Sequence, residues 1–141
     1  MKIMAVDYGD ARTGIAVSDE SASIAGAAWV IHEKTQLSVI QAIAAEASAR
    51  GVGAVVIGYP KNMNGTIGPR AEKSEQLAES LRGQLDIDVI LWDERMTTIS
   101  AHRILTDTGR RGKKRKNTVD AVAASLILES YLHYLKTHSD S

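Results

Sequence analysis

Ile3-Met4-Ala5-Val6-Asp7-Tyr8-Gly9-Asp10-Ala11-Arg12-Thr13-Gly14-Ile15-Ala16-Val17-Ser18-Asp19 reads as two short strands joined by a tight turn. The first run, Lys2 to Val6, is mostly apolar and ends abruptly in a carboxylate. The second, Gly14 to Val17, is apolar again and follows an Arg12-Thr13-Gly14 turn. Apolar runs bounded in this way by Gly and Asp form a hairpin, with Asp7 at its mouth. A carboxylate just past a buried strand is costly unless a cation or donor faces it. Asp7 taken alone also suits an Asx turn ahead of Gly9, so its role depends on what the rest of the chain brings beside it.

Beyond the hairpin, Ala27 to His32 reads as a third strand, completing a meander before any helix begins. Leu37, Ile40, Ile43, Ala44 and Ala47 then recur at helical spacing, with Thr35 placed to cap the start and Gly51 the end. Ala54-Val55-Val56-Ile57-Gly58 is apolar without alternation, the mark of a parallel strand covered on both faces. A polar loop, Tyr59 to Thr66, leads to a second helix opening near Pro69, and Asp88 to Trp92 forms another buried strand that ends in Asp93 and Glu94. Thr97 or Thr98 is expected to cap a short helix carrying Ile99, Ile104 and Leu105 and closed by Gly109. The last helix is expected from about Thr118 to Lys136, with Asp120 in its first turn. Three strands, then helix, strand, helix, strand and two helices predict an α/β domain with a mixed sheet of about five strands flanked by helices.

The 141 residues predict a single domain, 1–141, with an aliphatic core: 44% of residues are apolar, but only 4% are aromatic and none is Phe. There is no cysteine, which excludes disulfides, thiolate catalysis and thiolate metal sites. No apolar run reaches the length of a membrane span and no cationic leader opens the chain, so a cytoplasmic protein without a membrane partner is expected. The formal net charge of zero conceals a segregation. Arg110, Arg111, Lys113, Lys114, Arg115 and Lys116 hold six of the seventeen cations, leaving eleven against seventeen acids elsewhere.

Open α/β sheets bind their ligands beyond the carboxyl ends of the strands. If the first, fourth and fifth strands are parallel neighbours, then Asp7, the loop after Gly58 and the Asp93-Glu94 pair share one edge, and Asp120 can join them from the last helix. Each acid alone has an ordinary explanation, since a helix start favours Asp120 and Arg95 can pair with either member of the couple. Together, converging carboxylates repel unless cations separate them, which points to Mg2+ or Mn2+ on oxygen ligands. Two such ions about 3.5 to 4 Å apart activate a water and stabilise the leaving oxygen in phosphodiester hydrolysis. The basic run directly precedes Asp120, where Lys and Arg neutralise a nucleic-acid backbone without regard to sequence. Asn62, Thr66 and the loop amides are candidates to hold a phosphate or ribose, and Gly9 and Gly14 to let backbone approach a phosphate. With so few aromatics, recognition by shape and backbone is expected.

Asp7-Tyr8-Gly9 with Arg12, Gly14 and Ala16, Gly58-Tyr59-Pro60 with Asn62 to Thr66, Asp93-Glu94-Arg95 with Thr97-Thr98, and Asp120-Ala121 with Ala123-Ala124 and Ile127 to Leu132 together resemble the YqgF family. Its members are also called RuvX, pre-16S ribosomal RNA nucleases and Holliday junction resolvases, and the resemblance spans essentially the whole chain. It implies a ribonuclease H-like fold, divalent-metal hydrolysis of phosphodiesters in the bacterial cytoplasm, and maturation of the 5′ end of 16S rRNA. It carries the family's acids onto Asp7, the Asp93-Glu94 pair and Asp120, with Glu94 preferred as the middle ligand. Arg12 either holds the scissile phosphate or ties the turn to an acid. The leading expectation is a nuclease on structured RNA, in which Arg12, Asn62, Thr66, Arg95 and the basic run bind the backbone. Cleavage of branched DNA is the alternative, and it calls for a homodimer presenting two sites. A silent nucleic-acid-binding module is a further one. The pattern Asp7, Gly9, Gly14 also resembles the phosphate loop of the actin and sugar-kinase superfamily, but 141 residues leave no room for the second domain those proteins close over ATP.

Overall fold

The computed structural model describes residues 1–97 and 112–138, with backbone alone for 112–119. In chain order the elements are β1 (Lys2–Asp7), β2 (Thr13–Ser18), β3 (Ala25–Ile31), α1 (Gln36–Arg50), β4 (Val52–Tyr59), α2 (Pro69–Gln84), β5 (Asp88–Asp93), a 3-10 turn (Glu94–Met96) and α3 (Gly112–His138). The five strands form one sheet in the order β3-β2-β1-β4-β5. The meander β1-β2-β3 is antiparallel, whereas β4 lies parallel to β1 and β5 parallel to β4. The carboxyl ends of β1, β4 and β5 therefore share one edge.

Strand alternation sends successive side chains into two layers. Met4, Val6, Ile15, Val55 and Ile57 pack beneath α1 and α2 against residues such as Ile43 and Leu81. Ile3, Ala5, Ala16, Ala54 and Val56 pack beneath α3 against Ala123, Ala124, Ile127 and Leu128. Covering on both faces is why β4 has no polar alternation. Asp7 continues the Ile3-Ala5 side and so faces the α3 layer.

The expected caps of α1 are present. Thr35 Oγ1 accepts from Ser38 N at 3.1 Å, and Gly51 ends the helix at φ +65°. Thr35→Ala is expected to cost about 1 kcal/mol, read as a fall in Tm of roughly 3 to 5 °C in thermal unfolding.

One expectation needs correction. The last helix begins at Gly112, not near Thr118, so Lys113, Lys114, Arg115 and Lys116 lie on a helix and Asp120 stands beyond its second turn. Lys and Arg are good helix formers, and nothing from Lys113 to Thr118 stops a helix; a dense charge run is not a backbone signal. Asp120 is thus not the first-turn acid that a helix dipole would favour. Thr98, the expected short helix with Ile99, Ile104, Leu105 and Gly109, and also Arg110 and Arg111, lie outside the described residues. Ahead of them, Glu94–Met96 turns once in 3-10 form.

Candidate active site

Asp7 is the last residue of β1 and only 4% exposed. Across the hairpin it pairs with Gly14. The α3 helix crosses the sheet at that glycine so closely that a Cβ on Gly14 would lie 2.1 Å from the Asp120 carbonyl oxygen. The missing side chain is what lets the helix carry Asp120 down to the hairpin mouth. On the other side of β1, Val6 pairs with Ile57, so the next step of the register sets Gly58 beside Asp7. There a Cβ would lie 2.7 Å from Glu94 Oε2 and 2.6 Å from Ile127 Cδ1. Two glycines flank Asp7, and each admits a second acid to the α3 side of the sheet.

The same parity separates the two members of the Asp93-Glu94 pair. Asp93 closes β5 and points away, where its carboxylate is bound by Arg95: Nη2 at 2.7 Å, Nε at 3.0 and 3.1 Å, and the Arg95 backbone N–H at 2.9 Å. The hydrogen bonds from Arg95 hold its pKa below the usual carboxylate value. Glu94, one residue on, lies over Gly58 on the face of Asp7 and Asp120. Asp7, Glu94 and Asp120 are therefore brought to one face of one edge, and Asp93 is not.

Arg12 ties the turn to an acid, its Nε donating to Asp120 Oδ2 at 2.8 Å. The guanidinium supplies the positive charge that Asp120 needs beside two other carboxylates. Among the described residues no three carboxylates or histidines stand within ligating reach of a single point. The donor set nonetheless suits a hard cation: it is all oxygen, and it already draws a cation to Asp120.

The polar loop is organised on itself. Asn62 Nδ2 donates to Thr66 Oγ1 at 2.8 Å, and Thr66 Oγ1 donates to Asn64 Oδ1 at 2.7 Å. Arg95 joins the loop through Met63 O at 3.4 Å. Asn62 Nδ2 and the Thr66 hydroxyl are thus bonded to each other within the turn. Of the proposed phosphate contacts, Lys113 to Lys116 are placed only by backbone. The close approaches at Gly9 and Gly14 are internal as well, since a Cβ on Gly9 would meet the Arg12 carbonyl oxygen at 2.3 Å.

Two features have no counterpart in the sequence pattern. Buried Tyr59 donates to Glu75 Oε2 at 2.5 Å; burial, reinforced by that carboxylate, pushes the phenol up to about 12. Lys73 Nζ binds Asp10 at 2.7 Å beside Arg70, placing two cations of α2 next to the Tyr8–Asp10 turn. Gly58 is visible as a motif member without a reason, although a glycine closing a Val-Ile strand is itself the signal of a close neighbour.

The sequence pattern of the RuvX family, described as Holliday junction resolvase, matches residues 1–134. A relative from Halothermothrix orenii, named "Putative pre-16S rRNA nuclease", is 42% identical over 134 residues, covering 95% of this chain and 96% of its own. One of the same name from Geobacillus kaustophilus is 42% identical over 137 residues, covering 94% and 97%. Among solved structures, T. thermophilus RuvC in complex with a Holliday junction substrate superposes with a TM-score of 0.60 at 12% identity, covering 95% of this chain and 96% of that one. The fowlpox virus Holliday junction resolvase superposes at 0.57 and 14%, covering 96% and 100%. At these identities the two structures establish the fold: the mixed five-stranded sheet is that of the RuvC-like, ribonuclease H-like resolvases.

Proposed function

The chain belongs to the RuvX family, and from that membership we propose that it is a metal-dependent nuclease of the cytoplasm that hydrolyses phosphodiester bonds at the 5′ end of pre-16S rRNA. The observation that carries the reading is the delivery of Asp7, Glu94 and Asp120 to one face of one sheet edge, over Gly14 and Gly58. Mg2+ or Mn2+ held by these three would supply Lewis-acid stabilisation of the charge building on the phosphate oxygens and lower the pKa of a water. The protein's own part is to fix the acids. Asp7 is set by the β1 ladder, Glu94 by the turn after β5, and Asp120 by a helix pressed onto the sheet. Arg12, released from Asp120, stands where a scissile phosphate arrives, so its two candidate roles become successive. Arg95 and the cations from Arg110 to Lys116 hold the flanking backbone, water attacks phosphorus, and the leaving oxygen departs with a proton from solvent.

The fold shared with two junction resolvases supports a second substrate, branched DNA, which calls for a homodimer. One assay separates the readings. Precursor 16S RNA and a synthetic four-way DNA junction are offered to the purified protein in Mg2+, in Mn2+ and in EDTA. The expected outcome is RNA cleavage in either metal, none in EDTA, and an intact junction. Symmetric nicks in the junction with the RNA left whole would transfer the activity to DNA. Salt-sensitive RNA binding without cleavage in any metal would make the protein a silent binding module.

A further inference from the structure

We propose that Trp92, Tyr131, Tyr134 and His138 form a stacking platform for unpaired bases of a single-stranded nucleic acid. The placement of the platform rests on the nuclease reading; its test does not. The chain has six aromatic residues, and three of them meet here on the α3 side of edge strand β5. Trp92 and Tyr131 meet edge to face, with ring centres 5.3 Å apart. Tyr134 lies 5.2 Å from Trp92, and His138 stacks on Tyr134 at 4.2 Å with planes 26° apart.

The inner half of this column is core, for Tyr131 is only 9% exposed. The outer half is not: Tyr134 is 39% exposed and the His138 side chain is exposed as well. Both ends are held in place. Trp92 Nε1 donates to Ser130 Oγ at 3.1 Å, and His138 Nδ1 lies 2.9 Å from the Tyr134 carbonyl oxygen. Rigid, outward ring faces present a large surface at little ordering cost. The near-parallel contact of Tyr134 and His138 is the geometry in which a base adds to an aromatic side chain.

Position names the occupant. Ile127, Tyr131, Tyr134 and His138 follow one another at helical spacing along one side of α3. Ile127 sits above Gly58 beside the Glu94 carboxylate, and Trp92 precedes Glu94 by two residues. The column therefore begins at the middle acid and leads away from it along the helix, over about 10 Å from Ile127 to Tyr134. A strand with a phosphate at the acids has its next unpaired bases within reach of these rings. A duplex keeps its base faces inside its own stack and cannot use them.

The test uses full-length protein carrying Trp29→Phe, which leaves Trp92 as the single tryptophan. A fluorescein-labelled ten-nucleotide oligoadenylate RNA is titrated by anisotropy, and Trp92 emission is followed with the unlabelled strand. Quenching that saturates with binding is expected. Tyr134→Ala should weaken the single strand about tenfold or more and leave a duplex of the same length within about twofold, whereas Tyr134→Phe keeps wild-type affinity. Equal single-strand affinity in Tyr134→Ala, or binding without quenching, overturns the proposal. So does a dimer that dissociates in Tyr134→Ala while single-strand affinity is unchanged, since the face would then belong to a second copy. Oligoadenylate quenching that persists when precursor rRNA is not cleaved supports the platform and removes the nuclease reading. Cleavage without quenching does the reverse.

Discussion

Asp7→Asn is expected to lower cleavage of precursor rRNA by at least about a hundredfold while the protein stays folded. The substitution keeps the shape of the side chain and removes its charge, and position 7 is fixed by the β1 ladder on both sides, to Gly14 and toward Gly58. Loss of one preorganised group facing the reacting charge costs about 10² to 10³ in rate. Stability should hold or rise, because one of three mutually repelling carboxylates becomes neutral. Metal linkage gives a readout apart from activity. Mn2+ at a hundred times its Kd stabilises the folded state by about 2.7 kcal/mol, so wild-type Tm should climb with Mn2+ and that of Asp7→Asn should stay flat. Asp93→Asn serves as the control, since the Asp93 carboxylate is already committed to Arg95. Full activity in Asp7→Asn, or a loss confined to Asp93→Asn, would assign the site to other residues.

Which parts of this arrangement are legible in the sequence follows from the range of the forces that set them. Thr35, Gly51 and Pro69 act within a turn of themselves, so both helix starts and one helix end can be read directly. The unbroken Ala54–Gly58 run reports covering on both faces, and with the acids at strand ends it leads to the shared edge. The choice between Asp93 and Glu94 is different in kind. It depends on strand parity, and a shift of one residue exchanges the faces, so a sequence boundary uncertain by one or two residues leaves it open. The Arg12–Asp120 pair joins residues 108 positions apart and has no local signature. The start of α3 is hidden because six cations within seven residues look like a solvated loop, although Lys and Arg carry no penalty in a helix. Gly14 and Gly58 draw attention in the sequence, yet the reason for each is a partner brought by the fold, a helix carbonyl in one case and a carboxylate in the other.

Gly14→Ala turns that last point into a measurement, and its effect should exceed that of any cap. At most glycines with ordinary φ an alanine stabilises by about 0.4 to 1 kcal/mol by restricting the unfolded chain. Gly83 in α2 meets this condition, since a Cβ added there would have nothing within 4 Å, so Gly83→Ala should hold or raise Tm. Gly14 has the same freedom of φ but not of space. Its Cβ would lie 2.1 Å from the Asp120 carbonyl oxygen, 2.8 Å from the carbonyl carbon and 3.4 Å from Ala124 Cβ. The first two are backbone atoms within a helix and cannot swing aside as a side-chain tip does. Relief requires α3 to lift from the sheet, which opens its contacts with Ile3, Ala5 and Ala16. Overpacking of this kind costs about 1 to 3 kcal/mol or more, and the displaced residue is Asp120. A misplacement of about 1 Å is worth on the order of a hundredfold in rate, so Gly14→Ala should lose Tm and cleavage together. Asp7→Asn loses cleavage alone, and the contrast separates the chemistry of the acids from the packing that delivers them. An alanine at position 14 that leaves both Tm and activity unchanged would mean that α3 does not press on β2, and Asp120 would no longer belong with Asp7.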